Sequence, residues 1–93
     1  MTKKEPNGSQ NVFKFIVKDK YYRILNPFYE KKDSSFYVNQ LKELTGISPR
    51  ILIAELKTLE KEGILSSEHV ANAIFYKLNL DSPKAKKIEV LFL

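Results

Sequence analysis

The sequence predicts a mostly helical α+β domain, and two patterns in the middle of its 93 residues predict it. First, a short amphipathic segment ends at Gly46, and Ser48-Pro49 opens a longer amphipathic segment after a tight turn. Second, two segments of strand-like composition follow directly and are separated by a short turn. A short helix joined by three or four residues to a longer one is a helix-turn-helix, and the two strands predict a hairpin behind it.

The N-terminal third is interpreted as an arm, an apolar segment and a helix. Residues 1–10 are polar and are expected to form a flexible arm that precedes a single domain over residues 11–93. Residues 12–17 fit either a strand or the first turns of a helix, because periodicity does not decide between them. A helix is predicted after Asp19 as its N-cap, and Pro27 is expected to interrupt or kink it. The apolar face of this helix consists of Tyr21, Ile24, Leu25 and Phe28.

The helix-turn-helix is predicted over about residues 39–62. After an extended segment at 36–38, Asn39 or Ser35 is expected to cap a short helix that ends at Thr45. Its inward side chains are predicted to be Leu41 and Leu44.

Glycines mark both helix ends of this motif. Gly46 suits a left-handed stop to the short helix, and Ser48 with Pro49 is a capped start for a longer helix that ends at Gly63. The core face of the longer helix is predicted to consist of Leu52, Leu56 and Leu59.

A hairpin and a last helix complete the predicted domain. The hairpin spans about residues 64–80, with strands at 64–68 and 73–80 and a turn at 69–72. One face of its second strand is predicted to carry Ile74, Tyr76 and Leu78, and the other Phe75 and Lys77. The last helix is predicted at about residues 82–93, opened by Ser82-Pro83. Its apolar side is predicted to carry Ala85, Ile88, Leu91 and Phe92.

Composition excludes several classes of function. The chain has no cysteine, which rules out disulfides, zinc-thiolate sites and thiol nucleophiles, and its one histidine argues against a histidine metal site. Three glycines form no phosphate-binding loop, and no set of side chains is arranged as a nucleophile and base require. The apolar runs are too short to span a bilayer, and the N-terminus lacks the apolar stretch of a signal peptide. We therefore expect a cytoplasmic, non-enzymatic module without cofactor, metal or membrane partner.

The net charge of +5 is unevenly distributed. Residues 1–32 and 69–93 are basic, whereas residues 33–68 carry six acidic and four basic side chains. A basic balance is compatible with nucleic-acid binding, and a lysine-rich solvated surface is the alternative. Binding to a polyanion requires cations that converge in space, which a sum of charges does not show.

The segment YVNQLKELTGISPRILIAELKTLEKEGIL, followed by SSEHVANAIFYKLNL, resembles a winged helix-turn-helix domain of the MarR and ArsR type of transcriptional regulators. Its most specific part is LKTLEKEGIL at residues 56–65, and the resemblance covers roughly residues 19–80. It implies a three-helix core with a β-hairpin wing plus terminal segments, and a dimer that binds double-stranded DNA at two half-sites. The helix at 48–62 would lie in the major groove, and the turn at 69–72 would approach the adjacent minor groove or backbone.

The outward face of the longer helix is the main candidate for DNA contact. At about 100° per residue, the side opposite the leucines carries no acid. It consists of Arg50, Ala54, Lys57 and Lys61. We expect Arg50 to reach a guanine edge, the lysines to hold phosphates, and Ser48 to present backbone donors at the helix start. Ile51 can contact a thymine methyl group, and the alternative for Ile51 and Ile53 is packing under the wing or against the first helix.

Five further residues are candidates with open alternatives. His69 is expected in the wing turn, as a phosphate contact or as an exposed turn residue. Asn72 either reaches the minor groove or satisfies turn geometry, and Lys77 is expected on the solvent face of the wing. Asn39 and Gln40 either donate to phosphate or cap the short helix.

The terminal segments predict an interface. Residues 12–17 and 85–93 lie outside the minimal motif and would expose a contiguous apolar patch, so a homodimer through them is predicted. The alternative is that they pack on each other within one chain. A second hypothesis for function is a protein-interaction winged helix within a larger assembly, with Ile51 and Ile53 as anchors.

Overall fold

The computed structural model describes residues 19–92. In chain order these residues form α1 (19–30), β1 (Ser35–Tyr37), α2 (Val38–Thr45), α3 (Pro49–Lys61), β2 (Leu65–Val70), β3 (Ala73–Leu78), α4 (Pro83–Glu89) and a 3₁₀ turn (Val90–Phe92). The arm predicted at 1–10 and the apolar segment at 12–17 lie outside the described residues.

Helix α1 supplies one wall of the core and differs from the sequence prediction in two ways. Asp19 is itself helical and is not the N-cap. The helix also runs through Pro27 without interruption, and the amide of Lys31 donates to the Pro27 carbonyl at 3.1 Å. Proline lacks the backbone donor and its ring crowds the carbonyl of the preceding turn, but burial of the ring favours its position here. The predicted apolar face is confirmed by the burial of Ile24, Leu25 and Phe28.

Helix α2 is capped and packed differently from the prediction. Its N-cap is Tyr37, not Asn39 or Ser35, and the Tyr37 amide donates to Gln40 Oε1 at 3.0 Å. Leu41 is fully buried as predicted, but Leu44 is 60% exposed and its predicted inward position is wrong. The left-handed turn at Gly46 (φ +74°) reverses the chain, so that Ile47 is the next side chain to enter the core.

Helix α3 agrees with its predicted signals. Ser48 is the N-cap, its hydroxyl accepts from the Ile51 amide at 3.5 Å, and Pro49 occupies the first turn. The chain leaves the helix through Gly63, whose φ of +82° lies in the left-handed region that favours glycine. The predicted core face is confirmed, since Leu52 and Leu56 are fully buried and Leu59 is 4% exposed.

The three strands form an antiparallel sheet in the order β1-β3-β2. Strands β2 and β3 are the predicted hairpin, and Phe36 of β1 lies opposite Tyr76 on the other side of β3. Val70 pairs with Ala73, so only two residues form the turn and His69 lies within β2 opposite Ile74. The predicted four-residue turn at 69–72 is therefore too long, and β3 also ends two residues early at Leu78.

Helix α4 packs on α1 through a buried hydrogen bond. The Tyr29 hydroxyl donates to the Ala85 carbonyl at 2.6 Å, and burial raises the pKa of Tyr29 to about 12, so it stays a neutral donor. Ser82 caps the helix as predicted, accepting from the Ala85 amide at 3.1 Å. The helix ends at Glu89 rather than continuing to 93, and Leu91, predicted to face inward, is 65% exposed.

Candidate nucleic-acid interface

The outward side of α3 carries an exposed group of cations. All four residues of this surface, which we call the α3 basic face, are exposed: Arg50, Ala54, Lys57 and Lys61. Its position follows from the helical period, because the opposite side of the same helix is buried in the core. The sequence prediction that this stripe points outward is thus confirmed by its exposure.

The glutamates of α3 and of its C-cap contact other elements of the fold. Glu55 pairs with Lys20 of α1 at 2.9 Å, and Glu60 accepts from the Ser67 hydroxyl of β2 at 2.6 Å. Glu62 pairs with Lys84 of α4. Within residues 19–92, the three cations of the α3 basic face form no ion pair. In this part of the chain, the α3 basic face therefore presents three unpaired cations although residues 33–68 are acidic in sum.

Glu55, at one border of the α3 basic face, links α3 to α1. Its side chain is 17% exposed, and hydrogen bonds from the Tyr21 hydroxyl and from Lys20 lower the pKa of Glu55. The same contact raises the pKa of Tyr21, because its proton is held by the carboxylate. The ionised carboxylate thus keeps α3 in place on α1.

We expect the free energy of unfolding to fall as Glu55 is protonated. A carboxyl whose pKa is lower in the folded state than in the unfolded chain stabilises the fold above its ordinary pKa, and this contribution is lost as pH falls through the folded-state pKa. Urea unfolding at about pH 7 and about pH 3.5 should show a smaller pH dependence for Glu55→Gln than for the parent. Glu68→Gln, on the exposed part of β2, is the matched control. An unchanged pH dependence in Glu55→Gln would contradict the assignment.

Two isoleucines border the α3 basic face. Ile51 is 43% exposed and Ile53 is 41% exposed. The alternative that they pack under the wing or against α1 is therefore wrong. On the helical wheel they lie on opposite borders, Ile51 on the side of Glu55 and Ile53 on the side of Glu60. The outward surface of the first two turns of α3 is thus a mixture of one arginine and apolar side chains.

The wing carries its predicted residues at three different places. Asn72 lies in the turn, beside Ala71 with its positive φ of 56°, and His69 lies one pair before the end of β2. Lys77 lies opposite Ser66 and Ser35, at the base of the hairpin rather than at its tip. All three are exposed, but the structure does not bring Lys77 together with the other two. The exposed tip is mainly apolar, with Val70 at 48% and Ile74 at 37% exposure.

The candidates on α2 and at the α3 start have local partners. Gln40 Oε1 is used to cap α2, and the Ser48 hydroxyl caps α3, although both residues are exposed. Asn39 is exposed on the first turn of α2. The capping alternative is thus confirmed for Gln40 and wrong for Asn39.

An apolar groove was not predicted from the sequence. It has a volume of about 620 Å³ and lies between α1, the C-terminal half of α3 and the C-terminal segment. Phe92 stacks on Tyr22 and Tyr29 at ring-centroid distances of 4.7 and 4.6 Å. Leu91 at the groove and its neighbour Val90 are both 65% exposed. The exposed aromatic and aliphatic residues near both ends of the described chain were the only sequence signal for it.

Neither a metal site nor a membrane-spanning helix is found in residues 19–92. No three acidic, histidine or cysteine side chains cluster there in a way that would hold an ion. No helix in that range is both long and apolar enough to cross a bilayer.

The arrangement of helices α1 to α3 with the β2–β3 hairpin defines a winged helix-turn-helix fold, and solved structures share it. The AntR antimony-specific transcriptional repressor superimposes with a TM-score of 0.65 at 22% identity, over 97% of this chain and 78% of that one. Reduced HlyU from Vibrio cholerae N16961 superimposes with a TM-score of 0.59 at 23% identity, over 94% of this chain and 93% of that one. No protein-family model and no curated protein sequence matches the chain. The similarity therefore establishes the fold.

Proposed function

We propose that the protein is a cytoplasmic, non-enzymatic regulator of transcription that binds double-stranded DNA as a homodimer. The observation that carries this proposal is the α3 basic face, which is exposed and carries no acid because the helical period places the glutamates outside it. Helix α3 lies in the major groove, and residues 69–72 of the wing approach the adjacent groove or backbone.

Each candidate residue has a role in this complex. Arg50, near the helix start, reads a guanine edge, and Lys57 and Lys61 hold phosphates. The first turn of α3 at Ser48 presents backbone donors to a further phosphate. Contacts that fix the register are assigned to Asn39, Gln40, His69, Asn72 and Lys77, and apolar contacts to Ile51 and Ala54.

One similar structure, AntR, is a transcriptional repressor, which supports a role in repression. Its antimony specificity is not carried over. This chain has no cysteine, and thiolates are the ligands that soft metals prefer.

The homodimer is proposed through residues 12–17 and 85–93. Tyr22, 47% exposed, and Leu91 border an apolar groove that is open along the described chain. A second copy that covers this groove would bury the apolar surface and hold two α3 helices at a fixed spacing. Sedimentation that shows only monomer at micromolar concentration would contradict this part of the proposal.

Binding to mixed-sequence duplex DNA is expected to depend steeply on salt. Lys57 and Lys61 of each subunit give about four phosphate contacts per dimer, so affinity should fall about a hundredfold between about 50 and about 200 mM salt. Fluorescence anisotropy of a labelled duplex at the two salt concentrations measures this. Affinity that is independent of salt, or absent at about 50 mM, would contradict DNA binding.

A second candidate is an adaptor that binds protein. It is favoured by the exposed Ile51 and Ile53 and by the wing tip, where Val70 and Ile74 are exposed and no lysine or arginine is present. Apolar side chains of this size are typical anchors of protein interfaces. The absence of DNA affinity in the salt experiment would favour this candidate.

A further inference from the structure

We propose that Ile51 and Ile53 select thymine through its C5-methyl group, on both sides of the base pair that Arg50 reads. The proposal rests on the DNA-binding function above and names the bases that this surface recognises. It makes Ile53, which sequence reasoning did not assign to the site, a specificity-determining residue.

The surface at the start of α3 has a mainly apolar composition. Residues near the N-terminus of a recognition helix contact base edges. At positions 50, 51, 53 and 54, all exposed, the chain has one arginine, two isoleucines and an alanine. None of the three apolar residues can donate or accept a hydrogen bond through its side chain. Thr58, further along, donates its hydroxyl to the Ala54 carbonyl at 3.1 Å. Base recognition by this surface is therefore mainly apolar.

An apolar side chain in the major groove can recognise a methyl group. Thymine presents a methyl group there, whereas the other three unmodified bases present hydrogen-bond donors or acceptors and no methyl group. An exposed isoleucine that meets thymine removes two apolar groups from water. An isoleucine that meets an amino group or a carbonyl leaves that group without a partner, which disfavours the other bases.

Ile51 and Ile53 lie on opposite sides of the cations of α3. They are two residues apart, about 3 Å along the axis and about 160° around it on the outward side, with the α3 basic face between them. Glu55 on one border reaches α1 and Glu60 on the other reaches β2, which fixes the borders relative to the rest of the fold. The two isoleucines therefore contact different base pairs, one on each side of Arg50.

The cations around the two isoleucines distinguish DNA from a protein partner. The isoleucines are interleaved with three cations that have no partner among residues 19–92. A polyanion with apolar groups in its groove complements both features at once. Charge complementarity thus favours duplex DNA over an apolar protein surface.

The test compares thymine with deoxyuridine, which lacks only the methyl group. Sites are first selected from a randomised duplex library, and the selected duplex is then synthesised with deoxyuridine in place of individual thymines. Loss of each contacted methyl is expected to weaken binding about fourfold. Ile51→Ala and Ile53→Ala should each abolish the loss at one thymine position and preserve the salt dependence. The control Lys57→Ala should weaken both duplexes equally and keep the ratio between them.

The outcomes separate this inference from the proposed function. Equal binding of the thymine and deoxyuridine duplexes by the parent protein would overturn the inference and leave DNA binding intact, and this comparison requires no variant. Selected sites without thymine would do the same. Failure to bind any duplex would overturn the proposed function itself, and tight binding of a protein ligand by the two isoleucines would assign them to the adaptor. A duplex with 5-methylcytosine at the positions of the contacted thymines should bind more weakly than the thymine duplex. Equal or tighter binding would overturn selection of thymine in favour of a modified cytosine.

Discussion

Arg50→Ala is expected to abolish the preference of the protein for guanine at one position of each half-site. An arginine that pairs with both acceptors of a guanine edge contributes about 1–3 kcal/mol of discrimination, and a dimer makes the contact twice. Arg50 is exposed in the first turn of α3 and forms no ion pair within the described part of the chain, so its removal breaks no salt bridge there. The measurement is the ratio of affinities for the selected duplex and for one with that guanine replaced.

Two variants with the same loss of charge are the controls. Lys57→Ala should weaken binding to all sequences alike and lower the slope of log affinity against log salt by about 1 per subunit. Lys31→Ala, exposed in the turn after α1, should change neither quantity strongly. If Arg50→Ala and Lys57→Ala bind duplexes as the parent does, the α3 basic face is not the DNA contact.

Leu41→Ala is expected to destabilise the fold by about 2–5 kcal/mol, whereas Leu44→Ala should change stability by less than about 0.5 kcal/mol. The two leucines lie one turn apart on α2, and Leu41 is 0% exposed whereas Leu44 is 60% exposed. Truncation of Leu41 removes buried methyl groups and leaves a cavity among packed neighbours. Urea unfolding at neutral pH, monitored by circular dichroism, measures both free energies.

This pair of variants tests a position that sequence patterning misplaced. A loss in Leu44→Ala that equals the loss in Leu41→Ala would show that α2 packs as the sequence predicted, with both side chains inward. The reverse order would show that α2 is rotated relative to its position in the structure. Retention of DNA binding by Leu44→Ala further tests whether this exposed side chain belongs to the interface.

The candidate site was largely predictable because one helix carries it. Helical periodicity alone places the leucines of α3 on one side and the cations on the other, and the burial of Leu52 and Leu56 agrees with it. The helix ends were equally predictable, since Ser48, Pro49 and Gly63 act through their own backbone geometry.

The wing and the short helix were less predictable. His69 was predicted to lie in a turn at 69–72, yet pairing of Val70 with Ala73 extends both strands. Tyr37 is the N-cap of α2 because it is the last residue of β1 that pairs with β3. Strand pairing joins residues that are distant along the chain, so local propensity does not determine it.

The sequence by itself determined the order of the elements, the ends of α3 and the outward cations of that helix, because each depends on residues within a few positions of one another. Only the tertiary structure decided which side chains pair with the nearby acids. Glu55 and Glu62 form ion pairs with lysines of α1 and α4, and Glu60 accepts a hydrogen bond from Ser67 of β2, so all three acids of this segment have partners in other elements. It also decided that Ile51 and Ile53 are exposed, since burial depends on which elements pack against a helix and not on the helix alone.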